Sequence, residues 1–572
     1  MYQGTKASAG IGIGRAVVLK EREDVFYRRS ERKEEEQVRL AGAFAEAVRV
    51  TEEMAEEMAG RVSEKETGIL EAQAVLLQDP AMKDAMEREV EGGAGADEAI
   101  RKVCGDFGDL FAAMEDERMR QRAADLADIR ERLLDALTGR KAVDLSALAP
   151  GSILIARELT PSMTAGLSPE RTAGIGTELG GRTSHTAILA RAMGIPAVVG
   201  AAGLCAGIRD GDTVILDGTE GLVHVNPPEE KLAAYRKKIE EETARREGLR
   251  RYRKKETRTA DGRKVLVAAN IGRAEEAGPA GEWGAEGIGL FRTEFLFMGR
   301  TRMPEEEEQY EAYRSALEAF PDHEVIVRTL DIGGDKEIPF LGLVKEENPF
   351  LGYRAVRLYE GRPELLRVQF RALLRAGVYG RLKIMIPMVI SLEELRECRR
   401  LLRETEAELS REGVLHAKEI PLGIMVETAA AVCLADVLAK EADFFSIGTN
   451  DLTQYMLAVD RGNEQVAGLY SPFHPAVLRS IRRVILCGKE AGIPVGMCGE
   501  AASDPRLIPL LISFGLDEFS TAASLIPETR KRISELSKKE TDTLAERAMD
   551  AKTREETERI VSDFARRQGE NV

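Results

Sequence analysis

Paired cysteines, long apolar runs and an excess of positive charge are all missing from this chain, and each absence removes a class of protein. The six cysteines, Cys104, Cys205, Cys398, Cys433, Cys487 and Cys498, are scattered without a C-x-x-C pair. That suits reduced thiols and argues against a disulfide frame or a structural zinc site. No apolar stretch is long enough to cross a bilayer, and the opening Met1-Tyr2-Gln3-Gly4-Thr5-Lys6 lacks the apolar core of a signal peptide. A cytoplasmic protein without membrane insertion is expected. The net charge of −16 argues against nucleic acid or an anionic membrane as main partner, and leaves room for a basic protein. At 572 residues, 43% of them hydrophobic and 31% charged, the chain is too long for one core. About three domains are expected.

What is present includes a histidine at a glycine-rich turn, in Gly180-Gly181-Arg182-Thr183-Ser184-His185-Thr186. Ala187, Ile188, Leu189, Ala190, Ala192 and Met193 then give a short apolar helical pattern that Gly194-Ile195-Pro196 ends, so His185 belongs to the first turn of a helix. Unpaired amide hydrogens and the helix dipole favour an anion there. A neutral imidazole nitrogen can attack phosphorus, and the resulting phosphoryl group would sit among Arg182, Thr183, Ser184 and those amides. A histidine that merely packs at a helix start is the plain alternative, so His185 needs support from elsewhere.

Gly10-Ile11-Gly12-Ile13-Gly14 reads as a turn entering a strand at Ala16 to Leu19, with no helix after it of the kind a dinucleotide site requires. Charged segments with apolar residues at helical spacing follow to Thr138. Alternating strands and short helices begin at Ser152, so the helical part interrupts an α/β unit. The division expected is an α/β domain from 1–20 and 146–226, a helical subdomain at 21–145, a linker helix at 227–260 and a last domain at 261–572. In that last domain eight strand-like runs alternate with helical ones: Lys264 to Asn270, Gly287 to Arg292, Glu324 to Leu330, Leu382 to Met388, Leu422 to Glu427, Phe444 to Asn450, Pro494 to Gly499 and Glu518 to Thr521. Eight such repeats predict a (β/α)8 barrel, whose chemistry sits at the C-terminal strand ends.

Those ends carry Arg292, Arg328, Glu427, Asn450, Asp451 and Cys498, with Arg461 in the loop after the sixth strand. Arginines grip phosphate and carboxylate oxygens in a fork, and two carboxylates with open positions suit Mg²⁺. A substrate bearing both phosphate and carboxylate fits. Each residue also has a structural alternative: Arg292 can pair with Glu294, Arg328 with Asp331, and Glu427 or Asp451 can cap an element. Cys498 is either an inert buried thiol or a proton donor to a bound enolate.

Gly-Gly-Arg-Thr-Ser-His185, Gly-Leu-Phe-Arg292-Thr-Glu-Phe-Leu-Phe-Met, Arg328-Thr-Leu-Asp-Ile-Gly-Gly-Asp-Lys, Asn-Pro-Phe-Leu-Gly-Tyr-Arg354, Ile-Gly-Thr-Asn450-Asp451-Leu-Thr-Gln-Tyr and Met-Cys498-Gly-Glu together resemble Enzyme I. That family is the phosphoenolpyruvate–protein phosphotransferase of the bacterial sugar phosphotransferase system, and the resemblance runs through nearly the whole chain. It implies a phosphohistidine α/β swivelling domain with an inserted helical subdomain, followed by a TIM barrel. It also implies that phosphoenolpyruvate and Mg²⁺ bind in the barrel, that His185 takes the phosphoryl group, and that an HPr-like carrier receives it. Carried over by motif, Arg292, Arg328 and Arg461 hold substrate oxygens, Arg354 assists near the phosphate, and Asn450 and Asp451 contact the substrate. Glu427 and Asp451 bind Mg²⁺, and Cys498 protonates the enolate. The helical insertion docks the carrier and the barrel forms a homodimer.

Three positions depart from the pattern: Ala429 replaces a proline after Glu427, Met163 replaces an acidic residue, and Gln73 stands where a histidine is common in the docking helix. Phosphoenolpyruvate synthases and pyruvate–phosphate dikinases resemble the histidine domain and barrel too, but they need an ATP-grasp domain. No nucleotide-binding region precedes Gly180. A regulatory protein that binds phosphoenolpyruvate without turnover is the remaining alternative, and the full catalytic set argues against it.

Overall fold

Short runs of β-branched and aliphatic residues, closed off by glycine or proline, make the strands of both halves of the molecule. The computed structural model describes residues 1–19, 27–58, 73–113, 117–140, 145, 148–159, 163, 167–181, 184–298, 300, 302–333, 338–344, 346–463 and 465–568. They form two units, Met1–Ala244 and Arg245–Val572.

In the first unit β1 (Tyr2–Gln3), β2 (Thr5–Ser8), β3 (Ile11–Val18), β4 (Ser152–Ala156), β5 (Thr172–Thr177), β6 (Ala197–Val199), β7 (Thr213–Asp217) and β8 (Leu222–Val225) form one mixed sheet. Its order is β1-β8-β7-β3-β4-β5-β6-β2. β3 pairs in parallel with β4 although helices separate them in sequence, so the helical part is an insertion between neighbouring strands. The glycines at 12 and 14 lie within β3, not in a turn before it. A Cβ on Gly12 would come 2.0 Å from the Ala173 carbonyl oxygen, and one on Gly14 1.9 Å from that of Gly151. Only bare backbone passes at that separation.

The inserted helices Lys33–Met58, Pro80–Glu91, Ala96–Ala112 and Glu117–Thr138 enclose a core of their own, including Leu40, Phe44, Met86, Ile100, Ile129 and Leu133. Gln73 is fully buried there. Its Nε2 donates to Asp125 Oδ1 at 3.0 Å, and its Oε1 accepts from Arg132, which also bonds Thr51 and Asp128. The change from histidine at this position therefore alters interior packing, not an exposed docking face. Met163 is half-buried against the α/β core.

The helix Glu229–Arg250 opens by packing Leu232 and Tyr235 on Ile215 of the sheet. Beyond that start it is largely exposed.

The second unit is a closed barrel of eight parallel strands: β9 (Leu266–Ile271), β10 (Ile288–Arg292), β11 (Glu324–Arg328), β12 (Arg381–Ile386), β13 (Leu422–Val426), β14 (Phe445–Ile447), β15 (Val495–Met497) and β16 (Glu518–Ala522). β16 closes on β9 with Glu518 opposite Leu266. All eight expected runs are strands. Their outer faces pack on the surrounding helices, while Leu290, Ile326, Met385, Met425, Phe444 and Cys498 form a separate inner cluster. Among the described residues no helix is long and apolar enough to cross a membrane.

Glu518 is buried on β16, and its Oε1 lies 2.4 Å from where a Cβ on Gly289 would be and 3.2 Å from one on Gly496. Burial pushes its carboxyl up to about 7, Lys383 opposes that, and Glu324 and Asp517 add to it. A carboxyl raised on folding contributes stability that is full below its unfolded pKa and is lost as pH rises through the folded one. Stability of the barrel is expected to fall from about pH 5 to about pH 8, and Glu518→Gln to flatten that fall. Denaturant unfolding of both proteins across this range checks it; parallel slopes would exclude Glu518 as the source.

Candidate active site

Because all eight strands run the same way, whatever follows each of them arrives at one mouth. Arg292 and Arg328 end β10 and β11, Glu427 directly follows β13, Asn450 and Asp451 open the helix Thr449–Leu457 after β14, and Cys498 directly follows β15. These six, with Arg354 and Arg461 from the loops, line a single cavity of about 320 Å³. Every barrel residue nominated from the sequence is in it.

Charge is arranged around Asp331, just after β11. One of its oxygens meets Arg328 Nη1 at 2.9 Å, and the other accepts from Arg354 Nη2 at 2.8 Å and Nε at 3.2 Å. Arg328 also donates to Glu294 Oε1 at 2.5 Å. The alternative of an Arg328–Asp331 pair is thus real, yet both partners remain on the cavity wall. Burial alone would depress the two arginines, but Glu294 and Asp331 for Arg328, and Asp331 and Asp451 for Arg354, hold them above the ordinary range. Arg292 behaves differently: among the described residues its guanidinium has no hydrogen bond or ion pair, to Glu294 or to any other group. It is the guanidinium available to an incoming anion.

Glu427 is 1% exposed and accepts from the Met388 amide at 2.8 Å through Oε1. Burial first, then Asp451 and Asp331, push its carboxyl well above the carboxylate range. Asp451 Oδ1 is buried without a hydrogen bond, with Arg461 Nη2 at 3.3 Å; Arg354 is 3.7 Å from the other oxygen. Crowded carboxylates of this kind are what a divalent cation relieves. No ready-made group of three or more metal ligands occurs among the described residues, so substrate and water oxygens would complete the shell. Asn450 exchanges side-chain contacts with Glu500, accepting from its amide at 3.2 Å. Cys498 is buried, and burial pushes its thiol up to about 11 against the opposing pull of Ser446 and Arg328. It is a protonated thiol at neutral pH.

Two residues that carry a Cβ adopt positive φ beside these groups. Met388, at φ 60°, aims its amide at Glu427, and Ala355, at φ 53°, follows Arg354. Such backbone costs of order 1–3 kcal/mol and concentrates at functional sites. Asp331, Glu294, Tyr455, Ser446 and Met388 were not nominated from the sequence. Asp331 was weighed only as a structural partner for Arg328, and the backbone angle of Met388 leaves no trace in residue identity.

In the first unit His185 begins the helix His185–Met193, as its flanking residues require. Ser184 caps it by accepting from the Ala187 amide at 3.4 Å, and Gly194 ends it at φ 67°. Arg182, Thr183 and the His185 imidazole lie outside the described residues, as do Asp335 and Lys336 of the barrel.

Three family models match in succession. They are the PEP-utilising enzyme N-terminal model over residues 3–122, the mobile domain over 148–221 and the PEP-binding domain over 246–538. The chain is 43% identical to the phosphoenolpyruvate-protein phosphotransferase of Staphylococcus carnosus (strain TM300), over 99% of both chains. It is 44% identical to that of Geobacillus stearothermophilus, over 97% of this chain and 96% of the other. The chain belongs to the phosphoenolpyruvate-protein phosphotransferase family. It is thereby an α/β multidomain transferase with a TIM barrel, as its motifs implied.

Against the pattern of the phosphotransferase family Ala429 lacks a proline, and the structure locates what holds the loop instead. Thr428 donates to the Val389 carbonyl at 2.8 Å and accepts from the Ala431 amide at 3.1 Å, capping the helix Ala429–Cys433. Thr428, at φ −105° and ψ 150°, already has the backbone that precedes a proline, and position 429 is the first of the helix. Ala429→Pro is expected to stabilise the barrel by about 0.5–1 kcal/mol through the unfolded state. Equilibrium unfolding measures it, and a loss of stability would mean that the loop is not preformed.

Proposed function

We propose that the chain transfers the phosphoryl group of phosphoenolpyruvate to its own His185 and then to a histidine of an HPr-like carrier, releasing pyruvate as the first step of sugar uptake. The observation that carries this reading is the single cavity in which an arginine with no ion pair among the described residues, three ion-paired arginines, two crowded carboxylates and a protonated thiol meet.

Transfer of a phosphoryl group is chiefly a matter of position and charge neutralisation. Arg292 takes the incoming anion, while Arg328 and Arg354, fixed by Asp331, present positive charge at a set spacing. Arg461 and Asn450 orient the remaining oxygens. Mg²⁺ held by Glu427 and Asp451 would neutralise charge on the substrate oxygens. The bond from phosphorus to the enol oxygen breaks as a bond to a His185 nitrogen forms. The enolate carbon then takes the proton of the Cys498 thiol, giving pyruvate, and the thiolate recovers a proton from solvent. Arg328 near the sulfur favours that transient anion.

Phosphohistidine formation on the histidine-bearing unit and delivery to a carrier docked on the inserted helices complete the cycle. The same reading assigns the chain to the cytoplasm and makes the barrel the homodimer surface.

Incubation with labelled phosphoenolpyruvate and Mg²⁺ is expected to give acid-labile, alkali-stable label and pyruvate with the native chain and neither with His185→Ala. Equal labelling of the variant would overturn the assignment. Glu427→Gln keeps the volume and removes the charge, so the Mg²⁺ concentration for half-maximal labelling should rise by roughly tenfold or more. An unchanged metal response would remove Glu427 from the ligand set.

A further inference from the structure

Arg354 is held by more than carboxylates. Its Nη1 donates to the Tyr455 hydroxyl at 3.3 Å, and that hydroxyl in turn donates to the Phe350 carbonyl at 2.5 Å. The Phe350 ring lies 5.8 Å from the Arg354 guanidinium carbon and forms part of the cavity wall. Tyr455 belongs to the helix Thr449–Leu457, which also carries Asn450 and Asp451, whereas Phe350 and Arg354 belong to the long excursion after β11. One phenol thus ties two segments that also meet through the Arg354–Asp451 pair.

We infer that Tyr455 is a positioning residue for phosphoryl transfer, fixing the Arg354 guanidinium and the Phe350 wall against the helix that carries Asn450 and Asp451. The inference rests on the reading of the cavity as the phosphoenolpyruvate site. A guanidinium bonded along one edge to Asp331 can still pivot about that edge. The bond from Nη1 to a hydroxyl that is itself anchored on backbone removes the pivot. Ala355, next to Arg354, sits at φ 53° and ψ −127°, a strained backbone that the surrounding structure must hold in place. Asp331 supplies charge and Tyr455 supplies direction.

The test is a double-mutant cycle on the full chain with Mg²⁺ and phosphoenolpyruvate. The rate of His185 phosphorylation is followed by rapid quench in the native protein, Tyr455→Phe, Arg354→Lys and the double variant. Tyr455→Phe is expected to slow phosphoryl transfer roughly tenfold, with little change in phosphoenolpyruvate affinity. In the Arg354→Lys background the same change should have almost no further effect, because the group it aims is gone. A loss of equal size in both backgrounds, or none in the native background, would overturn the inference. Thermal unfolding of each variant identifies a general loss of fold, which would appear as the equal loss and count against it. Absence of any label on the native chain would instead defeat the functional reading, a distinct outcome.

Discussion

Asp331 shared between Arg328 and Arg354 is the contact on which the rest of the barrel mouth depends. Two buried guanidinium groups without a carboxylate between them would repel each other and face an uncompensated desolvation cost. With Asp331 in place they stand at a fixed distance, each with charge left over for a ligand. Glu294 on one side and Asp451 on the other extend the chain of opposite charges to the metal-ligand candidates. The cavity is therefore a charge lattice with one gap, and a doubly anionic substrate with its cation is the right charge pattern to fill it.

The same economy explains why Arg292 has no ion pair among the described residues. A site built wholly from internal ion pairs would have to break one to bind anything, whereas one built wholly from free charges would not stay folded around them. With Arg328, Arg354 and Arg461 each beside a carboxylate, and Arg292 beside none among the described residues, the groups that hold the shape of the mouth differ from the one left open to a ligand. Cys498 fits the same division, because a thiol kept protonated by burial does not compete with the substrate for the arginines.

Much of this could be read from residue order. The barrel strands were legible because each is a short aliphatic run bounded by turn residues, and parallel closure then gathers their ends whatever the loops do. The His185 helix was legible because Ser184 and Gly194 mark its two ends chemically. Reading failed where identity does not encode geometry. Gly12 and Gly14 looked like a turn but lie within β3 where it passes close to the backbone of Ala173 in β5 and of Gly151 before β4, a fact that depends on residues far along the chain. Gln73 stands out in sequence only as a departure in the docking helix, and burial against Arg132 shows where it lies. Asp331 looked like a private partner for Arg328 because its second arginine lies more than twenty residues away. Tyr455 is part of a quoted motif, yet nothing in the motif says where its hydroxyl ends.

The closure of β16 onto β9 has a consequence for how the molecule is made. The two strands that seal the barrel come from opposite ends of its sequence, so during synthesis β9 must wait with an open edge until nearly the whole chain has emerged. Contacts of such long sequence separation slow folding and leave apolar strand edges exposed meanwhile. The first unit suffers no such delay, since its last strand, β8, is complete before any of the barrel exists. Vectorial synthesis thus delivers the phosphoryl-accepting half already folded while the half that binds the donor is still an unfinished sheet.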